Sequence, residues 1–234
     1  MVIDINLSNL LPIQRPEAPS IPQPSLRRLP RYHHYLVDLE AKGIGQVSCS
    51  RIGLDLNLVP VQVRKDLQYT GIIGKPKTGY SVSELVLAIE SFLGWNNINE
   101  AFLAGVGNLG TALMGHERFS HFGLRIVAAF DTDQSKIGQW IQDKAVMPVE
   151  QLADLAQRMS IHLGIITTPA EAAQAVADEM VKGGIQAIWN FAPVNLRVPE
   201  HIIVHNEDLY NSLASLSWKL AKRFRVPIQV EEAV

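Results

Sequence analysis

The stretch "FLAGVGNLGTAL" carries Gly105-x-Gly107-x-x-Gly110 directly after an apolar run. Glycines at that spacing suit a pyrophosphate. The first permits a tight turn, the second lets the backbone approach the phosphates, and the third lets the following helix pack on the strand before it. Val106, Asn108 and Leu109 complete the loop, and the amides of a helix N-terminus would face the anion. A second apolar run, "LRIVAAFD", ends at Asp131, 21 residues after Gly110. At that distance Asp131, followed by Thr132, is placed to accept hydrogen bonds from the adenosine ribose. Asp131 and Asp133 have no arginine beside them, which opposes a 2'-phosphate and favours NAD(H) over NADP(H). The turns at Thr168-Pro169 and Asn190-Phe191 are the further candidate cofactor contacts.

A hydride-transfer enzyme would also need a placed acid or base near the nicotinamide. His116, His121, His162, His201 and His205 are available, and none lies in a motif tied to catalysis. There is no Gly-x-Ser-x-Gly, no Walker lysine and no metal-spaced His/Cys set, so no catalytic or metal residues are assigned. The cofactor is expected as a sensed ligand, not as a redox substrate.

A second constellation lies upstream. "SRIGLDLNLVPVQVRKDLQYTG" reads as helix, turn, helix, and its second helix bears Gln62, Arg64, Lys65 and Gln68, side chains suited to base edges and phosphates. The loop Gly74-Lys75-Pro76-Lys77-Thr78-Gly79 has the pattern of a hairpin wing with a basic tip. From Ser25 to Tyr80 nine Lys/Arg face four acids, a net +5, whereas from Ser81 onward eleven bases face seventeen acids, a net −6. One end of the chain suits a polyanion and the other does not.

The elements that must hold these residues follow from periodicity and punctuation. Residues 1–24 carry five prolines and few aromatics, the composition of a flexible tail. A helix is expected from Leu26 to about Ala41, a shorter one from about Ser50 to Leu56 after the possible caps Ser48 and Ser50, and a third from Pro60. Ser81-x-x-Glu84 is a capping box opening a helix that stops at Gly94 and would link two domains over residues 81–95. "EAFLAG", "LRIVAAFD", "IHLGIITT", "QAIWNFA" and "HIIVHN" then alternate with helical or loop segments, the rhythm of a parallel sheet. These runs place a Rossmann domain over residues 96–206, after a basic domain over 25–80. The last helix, within 207–234, aligns Leu209, Leu213, Leu216, Leu220 and Phe224 on one stripe and needs a surface to lie on.

Composition limits the alternatives. At 234 residues with 47% hydrophobic and 19% charged content, the chain reads as an α/β protein of two domains. No apolar run approaches a membrane span, no signal-peptide pattern opens the chain, and its single cysteine, Cys49, fits a reducing compartment; the cytoplasm is the expected location.

Taken together, "VPVQVRKDLQYTGIIGKPKTGYSV", "AGVGNLGTAL", "IVAAFDTD", "TTPAEAAQAVAD" and "AIWNFAPVNLRVPE" resemble successive stretches of the Rex family of redox-sensing transcriptional repressors, over about Leu26 to Leu220. The resemblance implies an N-terminal winged-helix DNA-binding domain, a Rossmann-like NAD(H)-binding domain, and a C-terminal helix swapped between the subunits of a homodimer. It implies binding to a palindromic double-stranded operator when NADH is scarce and release when NADH is bound. Family members close through an arginine, a tyrosine and an aspartate of the partner; Asp208 matches the aspartate, but His34 and His116 stand at the other two positions. A charged His34 could still pair with Asp208 and make the switch pH-sensitive. Val59 replaces the usual Ser/Thr before Pro60, which removes a helix cap. Two other readings remain: an NAD-dependent oxidoreductase or CoA-binding ligase-like subunit with a basic accessory domain, and an architectural DNA-binding protein indifferent to nucleotides.

Overall fold

The computed structural model describes residues 21–76, 78–97 and 99–224. The expected tail therefore lies almost wholly outside the described residues, as do Lys77 and the last ten positions. The chain divides into two compact units, one reaching to Asn96 and the other starting at Asn97.

The N-terminal unit is built on α1 (Gln23–Ala41). It starts earlier than the expected Leu26, because Pro24 is accommodated in the first turn, where no amide partner is needed. The tail boundary at residue 24 is corrected accordingly. Leu29, Tyr32, Leu36 and Leu39 form its buried stripe. Next come β1 (Gln46–Val47), α2 (Cys49–Leu56) and α3 (Pro60–Gln68). Ser48 is the cap of α2, its hydroxyl accepting the Arg51 amide at 3.1 Å. Asn57 ends that helix in the left-handed region, a conformation that asparagine tolerates.

β2 (Tyr80–Ser81) pairs antiparallel with β1, a two-residue ladder too short to leave a periodic signal. The wing is reduced to one antiparallel bridge, Lys75 with Gly79. α4 (Val82–Leu93) has the cap Ser81 and the left-handed stop Gly94 that its sequence specifies. The helix expected to act as a linker also forms a wall of this unit: Val82, Leu85, Val86 and Ile89 are buried in one core with Leu29, Leu36, Ile52, Val63 and Leu67.

In the C-terminal unit a seven-stranded sheet has the order β5-β6-β4-β3-β7-β8-β9. Its strands are β3 (Asn99–Ala104), β4 (Leu124–Asp131), β5 (Trp140–Ile141), β6 (Lys144–Pro148), β7 (Leu163–Ile166), β8 (Ala187–Asn190) and β9 (Ile203–Asn206). All pairings are parallel except β5 with β6, a hairpin whose Gln142 and Asp143 both take positive φ. That hairpin had no counterpart in the expected parallel series, since its strands are short and its turn contains no glycine. The intervening helices are α5 (Asn108–Met114), α6 (Leu152–Met159) and α7 (Ala170–Lys182). β3 is the first strand of the sheet, and the chain runs from it to β4 on one side and later to β7 on the other. This reversal leaves a crevice at the carboxyl ends of β3 and β7, the place where open α/β sheets take ligands.

α8 (Leu209–Phe224) ends the described chain. Its stripe residues Leu213, Leu216, Leu220 and Phe224 are each more than half exposed, so among the described residues nothing covers this face.

Candidate functional site: a recognition helix and a dinucleotide crevice

In the N-terminal unit the sequence "QVRKDL" resolves into two faces. Val63 and Leu67 are fully buried and Asp66 is 1% exposed, whereas Arg64, Lys65 and Gln68 are exposed and Gln62 is half-buried. The burial of Asp66 fixes which face is which. Its carboxylate accepts Arg28 Nε at 2.7 Å, Arg28 Nη2 at 2.8 Å and the Tyr32 hydroxyl at 2.7 Å. Burial pushes its pKa up, but these hydrogen bonds more than offset that and hold the carboxyl below the usual range. Burial and the Asp66 carboxylate push the Tyr32 phenol well above its ordinary value. Arg28 and Tyr32 thus pin α3 to α1 and turn the basic side chains outward. In the sequence Arg28 is one charge in a count, because a pairing across 38 positions leaves no local pattern.

Val59 makes no side-chain cap to α3, so the missing Ser/Thr is a real gap at this helix end. Of the wing lysines, Lys75 is exposed beside the bridge and Lys77 lies outside the described residues. Gly74 lies against the Tyr80 ring, where a Cβ would come within 2.8 Å of it. Ser48, Ser50, Arg64, Gln68 and Lys75 line one groove between α3 and the wing.

In the C-terminal unit the three glycines have separable reasons. Gly105 takes φ 99, and a Cβ there would lie 2.7 Å from the Thr168 amide nitrogen. At Gly110 a Cβ would run into the Gly105 carbonyl oxygen and come within 2.9 Å of Thr167 Oγ1. At Gly107 a Cβ would meet nothing within 4 Å. Sterics of the protein itself therefore require Gly105 and Gly110, and leave Gly107 as an open approach to the loop.

Asp131 lies beneath this loop, and several of its lone pairs are already engaged. Oδ2 accepts the Val106 amide at 2.8 Å and Lys136 Nζ at 3.1 Å, and Oδ1 accepts the Asp133 amide at 2.9 Å. Burial raises its pKa, but the Asp133 and Val106 amides and Lys136 more than offset this and keep it anionic. A carboxylate offers about four acceptor positions, so room for a ribose hydroxyl remains. The Val106 amide donates to Asp131 and its side chain is buried, so the loop is tied to the end of β4. Lys136, absent from the sequence reading, stands 3.8 Å from Asp133 as well, so the acidic pair carries a cation although no arginine is near.

Gly105, Gly107, Asp131, Thr132, Thr168 and Pro169 line one cavity, completed by Lys136 and the apolar Val149 and Val176. Thr168 Oγ1 is buried there with no protein hydrogen-bond partner, an orphan that a polar ligand would satisfy. Thr167, which the sequence reading passed over, donates from Oγ1 to the Gly105 carbonyl at 2.6 Å and holds the loop. A second cavity is lined by Leu109, Phe191, Pro193, Val194, Asp208 and Tyr210. Asn190 is fully buried, and its Nδ2 donates to Ala192 O, Val194 O and Asn206 Oδ1. Its side chain therefore staples the loop that shapes the second cavity. The glycine cradle, the anionic Asp131 and the orphaned Thr168 hydroxyl fit a dinucleotide.

The three switch candidates occupy separate settings. Asp208 Oδ1 accepts the Tyr210 amide at 2.8 Å and the Asn211 amide at 3.2 Å, which makes it the cap of α8. His34 stands exposed, 3.9 Å from Asp38 on the same helix. The His116 ring lies edge-on to Phe119 with centroids 4.7 Å apart. His33, next to His34 and unmarked by any motif, is buried, with its Nε2 2.8 Å from Glu90 Oε1.

Two family models match the chain, one described as a putative DNA-binding protein N-terminus over residues 20–68 and one as a CoA binding domain over residues 96–194. The redox-sensing transcriptional repressor Rex of Treponema denticola is 46% identical over 193 residues, covering 82% of this chain and 92% of its own length. The Rex of Bacteroides fragilis is 43% identical over 202 residues, covering 86% and 92%. The crystal structure of RSP in complex with beta-NAD+ and operator DNA matches with a TM-score of 0.83 at 34% identity, covering 87% of this chain and 94% of that one. RSP is described as a Rex-family repressor and has also been solved with beta-NADH.

A winged helix followed by a Rossmann-like domain is the architecture this chain shares with RSP, a Rex-family repressor. The chain belongs to the Rex family of redox-sensing transcriptional repressors. Its homologues are regulators and not enzymes, which sets aside the oxidoreductase and ligase-like readings. Among the described residues no helix is long and apolar enough to cross a membrane.

Proposed function

We propose that this protein binds a palindromic operator through α3 and the wing, and releases it when the crevice of the C-terminal unit holds NADH. The observation that carries the reading is the division of α3, where Asp66 is clamped inward and Arg64, Lys65 and Gln68 are presented outward. Helix-turn-helix proteins place such a helix in the major groove. Support for the ligand comes from the glycine cradle, the anionic Asp131 and the orphaned Thr168 hydroxyl. Reduced nicotinamide is neutral and oxidised nicotinamide is a cation; Leu109, Phe191, Pro193 and Val194 favour the neutral ring through the cost of desolvating the charge, against Glu207 and Asp208, which line the same cavity and favour the cation. Asp131, Asp133 and Lys136 together leave one net negative charge at the ribose, which favours NAD(H) over NADP(H).

A palindrome requires two copies, and the exposed stripe of α8 suits a second copy of the same chain, the helix being exchanged between subunits. A ligand shifts DNA affinity only through unequal affinity for the open and closed dimers. His34, His116 and Asp208 are the proposed switch residues. A cytoplasmic location fits the free thiol of Cys49.

The test is Arg64→Ala, with the operator crystallised with RSP as the duplex. Operator affinity is expected to fall by about 1–3 kcal/mol if Arg64 reads a base; if it holds a phosphate, the salt slope falls by about 1. Unchanged affinity and slope, read by fluorescence anisotropy from low to moderate salt, would remove α3 from the interface.

A further inference from the structure

Val61 is an apolar side chain on the side of α3 that otherwise carries charge. It is 58% exposed, and spacings of three, four and seven residues put it on one helical face with Arg64, Lys65 and Gln68. The opposite face is sealed by Val63, Asp66 and Leu67, so Val61 contributes nothing to the core. A β-branched residue exposed in a helix of nine residues brings no advantage in helix propensity. Val59 stands beside it, 61% exposed, across Pro60. The first turn of α3 is therefore apolar and the next is basic.

That order identifies the partner chemistry. Arg64 and Lys65 on the same face call for a polyanion, and in helix-turn-helix docking the N-terminal residues of the second helix reach the base edges. The apolar group displayed on the floor of the major groove is the C5-methyl of thymine. We propose that Val61 reads a thymine methyl in each operator half-site. The proposal rests on the assignment of α3 as the recognition helix, and it makes Val61 a specificity determinant alongside the cationic contacts. Burial of one methyl against an apolar side chain corresponds to about fourfold in affinity per half-site, and to roughly fifteenfold when both half-sites of a palindrome change.

The experiment replaces each symmetry-related pair of thymines in the RSP operator by deoxyuridine, which removes the methyl and keeps the base-pair hydrogen bonds. Wild-type protein should lose roughly fifteenfold in affinity at one pair. Val61→Ala should bind the thymine duplex correspondingly more weakly and be indifferent to deoxyuridine at that pair alone, while Val61→Thr, which keeps a methyl, should retain the sensitivity. Identical deoxyuridine profiles for wild type and Val61→Ala would overturn the Val61 assignment and leave the recognition helix standing. Failure of wild-type protein to bind the duplex would overturn the helix assignment, and this proposal with it.

Discussion

Asp66→Ala is expected to destabilise the N-terminal unit by about 3–5 kcal/mol, the range for removing one partner of a buried ion pair. The Arg28 guanidinium would lose both of its contacts to the carboxylate, and the Tyr32 hydroxyl, on a fully buried side chain, would lose its acceptor. Arg28 retains some access to water, which moves the expectation toward the lower end. A unit of this size loses roughly 4–8 °C of Tm per kcal/mol, so a thermal melt should show a fall of more than about 10 °C. A shift of a degree or two would show that the clamp contributes little. Asp66→Asn adds a second readout. Because the folded-state pKa of Asp66 lies below its ordinary value, its contribution is fully present at neutral pH, persists above the usual carboxylate range, and is lost as pH falls through the folded value. Wild-type protein should therefore lose stability on acidification into that range, and the Asn variant should lose less.

The second large effect separates two glycines of the same loop. Gly107→Ala should leave the Tm of the C-terminal unit nearly unchanged, since the added Cβ meets open space and the backbone there, at φ −88, suits any residue. The same methyl stands where a pyrophosphate would approach, and overpacking of that kind costs about 1–3 kcal/mol, a roughly five- to 150-fold loss of NADH affinity. Gly110→Ala should fail differently: its Cβ meets the Gly105 carbonyl, so stability and NADH binding fall together. Calorimetric titration with NADH beside a melt of each variant distinguishes the two. NADH affinity unaffected by Gly107→Ala would place the pyrophosphate elsewhere.

The parts of this molecule that could be read in advance are those written locally. The capping serines, the stop at Gly94, the glycine loop and the aspartate at the end of β4 each follow from a few adjacent residues and a known backbone requirement. The outward face of α3 was legible for the same reason, since its basic residues are neighbours in the chain. What escaped was non-local. The Arg28–Asp66 clamp joins residues on two helices, the Lys136 contact to Asp131 depends on how a loop folds back, and the commitment of Asn190 to three loop acceptors is visible only once the loop is closed. The Val106 amide escaped by the same limit, because a loop amide can face either a ligand or a neighbouring carboxylate and the motif is silent on which. The hairpin of β5 and β6 lacked the glycine that usually marks a turn with positive φ, and Gln142 and Asp143 took that role unannounced.

The central claim is that DNA affinity at α3 depends on the nucleotide held by the C-terminal unit. The most direct measurement is fluorescence anisotropy of the RSP operator duplex with this protein at near-neutral pH and fixed salt, in the presence of NADH, of NAD+, or of neither. NADH is expected to weaken the complex by about fivefold or more, within the usual range of coupling between two sites, while NAD+ at the same concentration does not. Equal affinity in all three conditions would contradict it.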